Sequence, residues 1–160
     1  YRITGKYPEG WSIRESGRWG AKENNVRFFD PEHPTVWPTL YYRIDSEPRQ
    51  LSGAEIDHWL REEAAKKAES RLHSGLIGYT NGDLVARNIG DRSALTWTAT
   101  YAFHGTNPNS TTPRGDSLEE YFTLIYSPNC TALFFVQASK VDMAAMRPKF
   151  DEMIKSTILP

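Results

Sequence analysis

The stretch Gly90–Gly105, "GDRSALTWTATYAFHG", alternates with period two. Leu95, Trp97, Ala99, Tyr101 and Phe103 fall on one side of an extended chain. Ala94, Thr96, Thr98, Thr100 and Ala102 fall on the other. Alternation of this kind marks a strand with one face in a core. The Leu95–Phe103 set is the expected core face, packed under a helix, and the threonine face is expected to be half-covered or wet.

Strand signals continue on either side. "YFTLIY" and "TALFFVQAS" are near-continuous apolar runs, as expected of central strands covered on both faces. "GTNPNSTTPRGDS", ahead of the first of them, has the composition of a loop. Leu84–Ile89 is a further strand candidate, and Asn81-Gly82 in "IGYTNGD" predicts a tight turn before it. Nearer the start, Trp11 and Ile13 alternate with Ser12 and Arg14, which predicts a strand after a Pro-Glu-Gly turn. "GRWGAKENN" reads as a polar loop and "VRFFDP" as a short strand ending at Pro31. "PEHPTVWP" carries too many prolines for a central strand. "TLYYRIDSE" is a strand with Leu40, Tyr42 and Ile44 on one face.

Two segments have helical spacing. Ser52 to Glu55, "SGAE", is a capping-box pattern, and Ile56, Leu60, Ala64, Ala68 and Leu72 recur every fourth residue beside Trp59. Glu62–Lys66 and Glu63–Lys67 are Glu-before-Lys pairs at i, i+4 on its outer side, and Gly75 is the expected stop. In "DMAAMRPKFDEMIKSTIL", Asp142 is a candidate cap, and Pro148 predicts a break with the main helix restarting there. Phe150, Met153, Ile154 and Ile158 form the expected buried stripe. Strands that follow one another without crossover helices favour an antiparallel sheet, so the class is α+β.

At 160 residues, 39% of them apolar, the chain is expected to form a single domain over 1–160. Nineteen basic against 20 acidic residues, net −1, argue against a general nucleic-acid binder. No apolar run approaches the ~20 residues that span a bilayer. The single cysteine, Cys130, excludes an internal disulfide and reads as a small buried hydrophobe. The chain begins at Tyr1 rather than methionine, so we expect a mature or trimmed form whose signal or lipoprotein segment has been removed.

Catalytic signals are absent from the pattern. His58 and Glu62 are i, i+4 on the first helix, but two ligands do not make a metal site, and no further matched ligand accompanies them. Neither a G-x-S-x-G elbow nor a Cys-His arrangement occurs. We expect no catalytic residue, no metal and no cofactor. Arg114–Asp116 spells Arg-Gly-Asp and is read as a chance match, while Asn109 and Asn129 open N-x-Ser/Thr patterns that matter only in a secreted eukaryotic chain. Trp19 in "GRWGAK" and Trp37 in "TVWPTL" are the candidate binding residues, because an exposed loop tryptophan is a typical interface anchor. The competing expectation is that each folds back to seal the sheet edge.

Several of these stretches together resemble the PsbP-like superfamily. This is the fold of the photosystem II subunit PsbP, of the Ran-binding factor Mog and of bacterial envelope lipoproteins. "YRITGKYPEGWSIRES" is similar to its opening strands, "LSGAEIDHWLREEAAKKA" to its first helix and "NIGDRSALTWTATYAFHG" to its hairpin strand. "EEYFTLIYSPNCTALFFVQAS" is similar to its two central strands and "MRPKFDEMIKST" to its closing helix. The resemblance implies a central antiparallel sheet flanked by helices on both faces, an α/β/α sandwich. It implies a non-catalytic binding or assembly domain that engages a protein partner. We expect this domain in the bacterial envelope, extracytoplasmic, with membrane contact only through a removed lipid anchor. The alternatives are a small-molecule or metal-binding domain and a chaperone-like adaptor for secreted effectors. An exposed apolar groove lined by Trp19 or Trp37 favours a protein partner, and a pocket with convergent polar groups favours a ligand.

Overall fold

The computed structural model describes residues 3–19, 23–74, 76–102 and 117–160, with only the backbone at 15, 19 and 77. Gly75, Phe103, His104 and the Asn109 and Arg114–Asp116 motifs lie outside the described residues. The elements run β1 (Ser12–Trp19), β2 (Glu23–Phe29), β3 (Thr39–Ile44), α1 (Gly53–Leu72), β4 (Ile77–Asn81), β5 (Val85–Ile89), β6 (Arg92–Ala102), β7 (Ser117–Ser127), β8 (Cys130–Ser139) and α2 (Lys140–Ser156). The strands form one sheet in the order β1-β2-β3-β8-β7-β6-β4, with β5 also on β6. Every pairing is antiparallel. The fold is α+β: a large antiparallel sheet and two helices.

The alternation in β6 decides its packing. Leu95, Trp97, Ala99 and Tyr101 are at most 3% exposed. Leu95 lies opposite Leu124 of β7 and Trp97 opposite Phe122, where the two rings stack at 4.7 Å. Leu60 and Ala64 of α1 close this cluster. Along the threonine face Thr96 is buried, Thr98 half-buried and Thr100 exposed. The intervening β7 residues Tyr121 and Ile125 belong to a second cluster, with Phe134 and Val136 of β8. Met143, Met146, Phe150, Met153 and Ile154 of α2 complete it.

At the start of α1 the Ser52 amide donates to Glu55 Oε2 at 2.7 Å, within the expected capping box. The helix ends at Leu72, whose side chain is 53% exposed rather than part of the apolar face. In α2 the N-cap is Ser139, whose Oγ accepts from the Asp142 amide at 3.1 Å, so Asp142 sits inside the first turn. The helix also runs unbroken through Pro148. Proline in a helix interior costs ~3 kcal/mol. Here Met143 and Met146 before it, and Phe150, Met153 and Ile154 after it, are buried in the same cluster, and that common seat keeps one axis. Ile158 lies beyond the helix and is 66% exposed, outside the stripe.

Two polar stretches form strands that their composition hides. "GRWGAKENN" is not a loop throughout, since Gly17, Arg18 and Trp19 pair with Asn25, Asn24 and Glu23. A backbone ladder needs no apolar side chain when a neighbour such as β3 supplies the partner for β2. "IGYTNGD" holds β4 rather than a tight turn: Asn81 pairs with Ala99, and the Gly82 amide continues the edge by donating to Thr98 O at 2.8 Å. A Cβ on Gly82 would stand 3.0 Å from the Thr98 hydroxyl and 3.3 Å from its carbonyl oxygen, hence glycine. The tight turn falls instead at Gly90, φ +65°, between the paired Ile89 and Arg92.

These packing differences set mutational costs. Phe150→Ala, at a fully buried site, should lower unfolding free energy by about 3–5 kcal/mol in a denaturant titration. Leu72→Ala on the exposed end of α1 should stay within about 0.5 kcal/mol.

Candidate functional site

Trp37 follows the proline-rich segment and is 37% exposed. Its indole N–H donates to the Pro34 carbonyl at 3.1 Å, folding the ring onto its own loop. The guanidinium of Arg14 on β1 lies 4.8 Å from the ring centroid and that of Arg27 on β2 lies 5.7 Å from it. Cation–π contacts of this kind hold an aromatic ring in place. Trp19 closes β1 opposite Glu23, and its side chain lies outside the described residues. Glu23 and Arg27 are four residues apart on β2, ~13 Å along the strand, so the two tryptophans sit at different ends of the hairpin.

Two hollows flank the β1–β3 side of the sheet, because α2 packs on β7 and β8 and α1 on β4, β6 and β7. The first is an apolar groove of about 480 Å³ roofed by the N-terminal segment. Val26, Phe28, Leu40, Tyr42, Phe134 and Met153 line it, with Ile13 and Tyr7 exposed at its edge. The roof is tied to the end of α2: Thr4 and Ile158 exchange backbone hydrogen bonds at 3.1 and 2.7 Å, and the Lys6 amide donates to Ser156 Oγ at 2.9 Å. A Cβ on Gly5 would lie 3.2 Å from the Thr157 Cα, so glycine permits this close crossing. Trp37 does not line the groove.

The second hollow, about 360 Å³, lies between α1 and the alternate strand residues Tyr41 and Leu133. Lys67 reaches into it, its ammonium 5.2 Å from the Tyr41 ring centroid. Burial, and then the charge of Arg71 one turn on, lower the Lys67 pKa. The expected Glu63–Lys67 pair is therefore not formed, and Glu63 takes Lys66 instead at 2.7 Å. Beyond it Arg71 holds both oxygens of the fully buried Glu120, from Nη2 and, at 3.3 Å, from Nε. Burial opposes the guanidinium charge, but the hydrogen-bonded carboxylate overrides it and raises the Arg71 pKa. Burial and the Glu120 charge push the nearby Tyr101 phenol up to about 12, and Tyr79 is raised by the same causes. A carboxylate gripped by a bidentate guanidinium fastens α1 to β7 and offers no free base.

The other titratable groups are arranged as structure. His58 Nε2 lies 3.5 Å from Glu62 with 77% of its side chain exposed. Asp30, Glu32 and His33 bring ligand-type atoms within 4.8 Å of one another. That cluster already holds a cation, the Lys149 ammonium, 2.5 Å from Glu32 and 3.6 Å from Asp30. Burial alone would raise the Asp30 pKa, but the His33 ring, the Glu32 amide and Lys149 outweigh it and lower the value. Cys130 is fully buried, and burial, with the Asp45 charge second, pushes its thiol up to about 12. Among the described residues no helix is long and apolar enough to cross a membrane.

Solved structures share this architecture at low identity. Cyanobacterial PsbP from Synechocystis is 10% identical with a TM-score of 0.65, over 99% of this chain and 86% of that one. LpqN of Mycobacterium tuberculosis, involved in cell envelope biogenesis, is 16% identical with a TM-score of 0.60, over 97% of this chain and 81% of that one. A Bacteroides thetaiotaomicron protein is 11% identical with a TM-score of 0.54 over 99% of this chain, which spans only 45% of that protein's length. No family model and no curated protein matches the sequence. The chain has the PsbP-like fold.

Two measurements check the electrostatics. Cys130 should resist iodoacetamide at pH 8 in the native protein and be alkylated fully once unfolded, read by mass spectrometry. A depressed native pKa at Asp30 adds stability above the unfolded value of ~3.9 that is lost as pH falls through the native value. Asp30→Asn should therefore flatten the acid limb of the stability–pH curve below about pH 4.

Proposed function

We propose that this is a non-catalytic binding domain with α/β/α layering, and that its binding element is the apolar groove under residues 3–7. The layering is supported by the alternate residues of β7: Phe122 and Leu124 share a cluster with α1, and Tyr121 and Ile125 share one with α2. The groove carries the functional reading. Its volume of about 480 Å³ and apolar lining match the size and character of small-molecule sites. The occupant is a small apolar molecule or the apolar part of a larger one. Placement in the bacterial envelope, outside the cytoplasm, is supported by the likeness to LpqN.

A second reading, a protein partner engaged through Trp37, rests on an exposed ring already held by Arg14 and Arg27. A preorganised aromatic loses little side-chain freedom on binding.

Titration of the ¹⁵N-labelled protein with 1-octanol separates the two. Saturable shifts are expected in the amides of residues 3–7 and 26–28. Ile13→Lys at the mouth should weaken binding about fivefold or more, because it places a charge against an apolar occupant. Trp37→Ala should leave octanol binding unchanged. Linear shifts without saturation, or Ile13→Lys binding as the parent does, would overturn the groove reading.

A further inference from the structure

The hollow beneath α1 carries a site of different chemistry, independent of the groove under residues 3–7. We propose that it binds a small organic monocarboxylate, the carboxylate at the Lys67 ammonium and the Trp97 indole N–H, the apolar body on Leu124 and Leu133.

Two residues that line this cleft carry donors with no hydrogen-bond or ion-pair acceptor among the described residues. Trp97 lines it and is 2% exposed, and its indole N–H has no hydrogen-bond partner among the described residues. Parallel stacking on Phe122, 9° between planes, fixes the ring, so the N–H cannot turn elsewhere. A buried donor left without an acceptor is costly and is rare in folded proteins. Lys67 is the second donor. Its ammonium lies over the Tyr41 ring and joins no ion pair among the described residues. Burial and the Arg71 charge lower its pKa by more than the charges of Glu23 and Glu120 raise it, and an anion at its tip would offset the remaining cost.

The surroundings select the charge and the body of the ligand. Arg43 is committed to Asp45 at 3.2 Å and Lys66 to Glu63 at 2.7 Å, so neither adds a free positive charge. Glu23 at the wall, whose charge acts on Lys67, repels a multiply charged anion such as phosphate. One ammonium beside one wall carboxylate that no lysine among the described residues holds suits a ligand with a single negative charge. The leucine floor suits an apolar body, and about 360 Å³ lies within the range of small-molecule sites.

The test is an NMR titration of the whole chain with 3-phenylpropionate, its neutral amide and inorganic phosphate. The Trp97 indole resonance is identified by its loss in Trp97→Phe. With 3-phenylpropionate that resonance and the amides of residues 66–70 should shift saturably. The amide should bind about tenfold more weakly or worse, as should 3-phenylpropionate to Lys67→Met, and phosphate should not saturate. Lys67→Arg should recover binding, and the thermal midpoints of both Lys67 variants should match the parent. No saturation at Trp97, equal binding of the amide or of phosphate, or undiminished binding by Lys67→Met would each overturn the proposal. Shifts confined to residues 3–7 would overturn it as well while leaving the groove reading intact.

Discussion

The structure depends on the burial of β7 on both sides. From Leu118 to Ser127 only Glu119 keeps appreciable contact with water. A strand in that position must find partners in three directions: neighbours along the ladder, and a layer of side chains above and below. β6 and β8 supply the ladder, each paired with β7 over most of its length. The two side-chain sets of β7 supply the rest, one meeting Leu60 and Ala64 of α1 and the other the methionine and phenylalanine stripe of α2. Even the buried charge of β7 follows this logic. Glu120 stands at the end of β7 and is tolerated because Arg71 reaches it from α1. Breaking such a pair would strand a charge out of water, at a cost near 3–5 kcal/mol.

Both hollows follow from the width of the sheet. α2 seats over the central strands β7 and β8 and α1 over β7, β6 and β4, while β1, β2 and β3 extend the sheet to one side. There the apolar side of β2 and β3 is roofed by a few N-terminal residues that cross closely at Gly5. The other side is overhung by the long polar side chains of α1. The first hollow is apolar because Leu40 and Tyr42 point into it. The second is mixed because Tyr41 and Arg43 belong to the opposite face.

Much of the frame was legible because its signals are local. The period-two run of β6, the apolar runs of β7 and β8 and the four-residue spacing of α1 each report burial through the geometry of their own element. The facing ends of β1 and β2, Gly17–Trp19 and Glu23–Asn25, and β4 around Asn81 were not legible. Their strand state comes from backbone bonds to β3 and β6, which side-chain composition does not encode. The helix through Pro148 was misread for the same reason, since its continuity rests on a shared seat against Tyr121 and Phe134. Neither hollow was legible, and Trp37, singled out by its loop context, lines neither of them. Lys67 looked like the outer half of a surface ion pair, and only the aromatic face of Tyr41, far away in sequence, draws it inward. Trp97 was correctly read as core, and its stranded N–H was invisible.

The sequence by itself determined the α+β class, the buried face of Leu95, Trp97 and Tyr101, the inert position of Cys130 and the start of α1. Each follows from spacing or composition within a few residues of chain. Only the tertiary structure decided which strands meet, that Pro148 stays within one helix, and where space is left over. Cavities and unmatched donors arise where separate elements fail to fill or satisfy one another, and that is a property of the assembled layers rather than of any one segment.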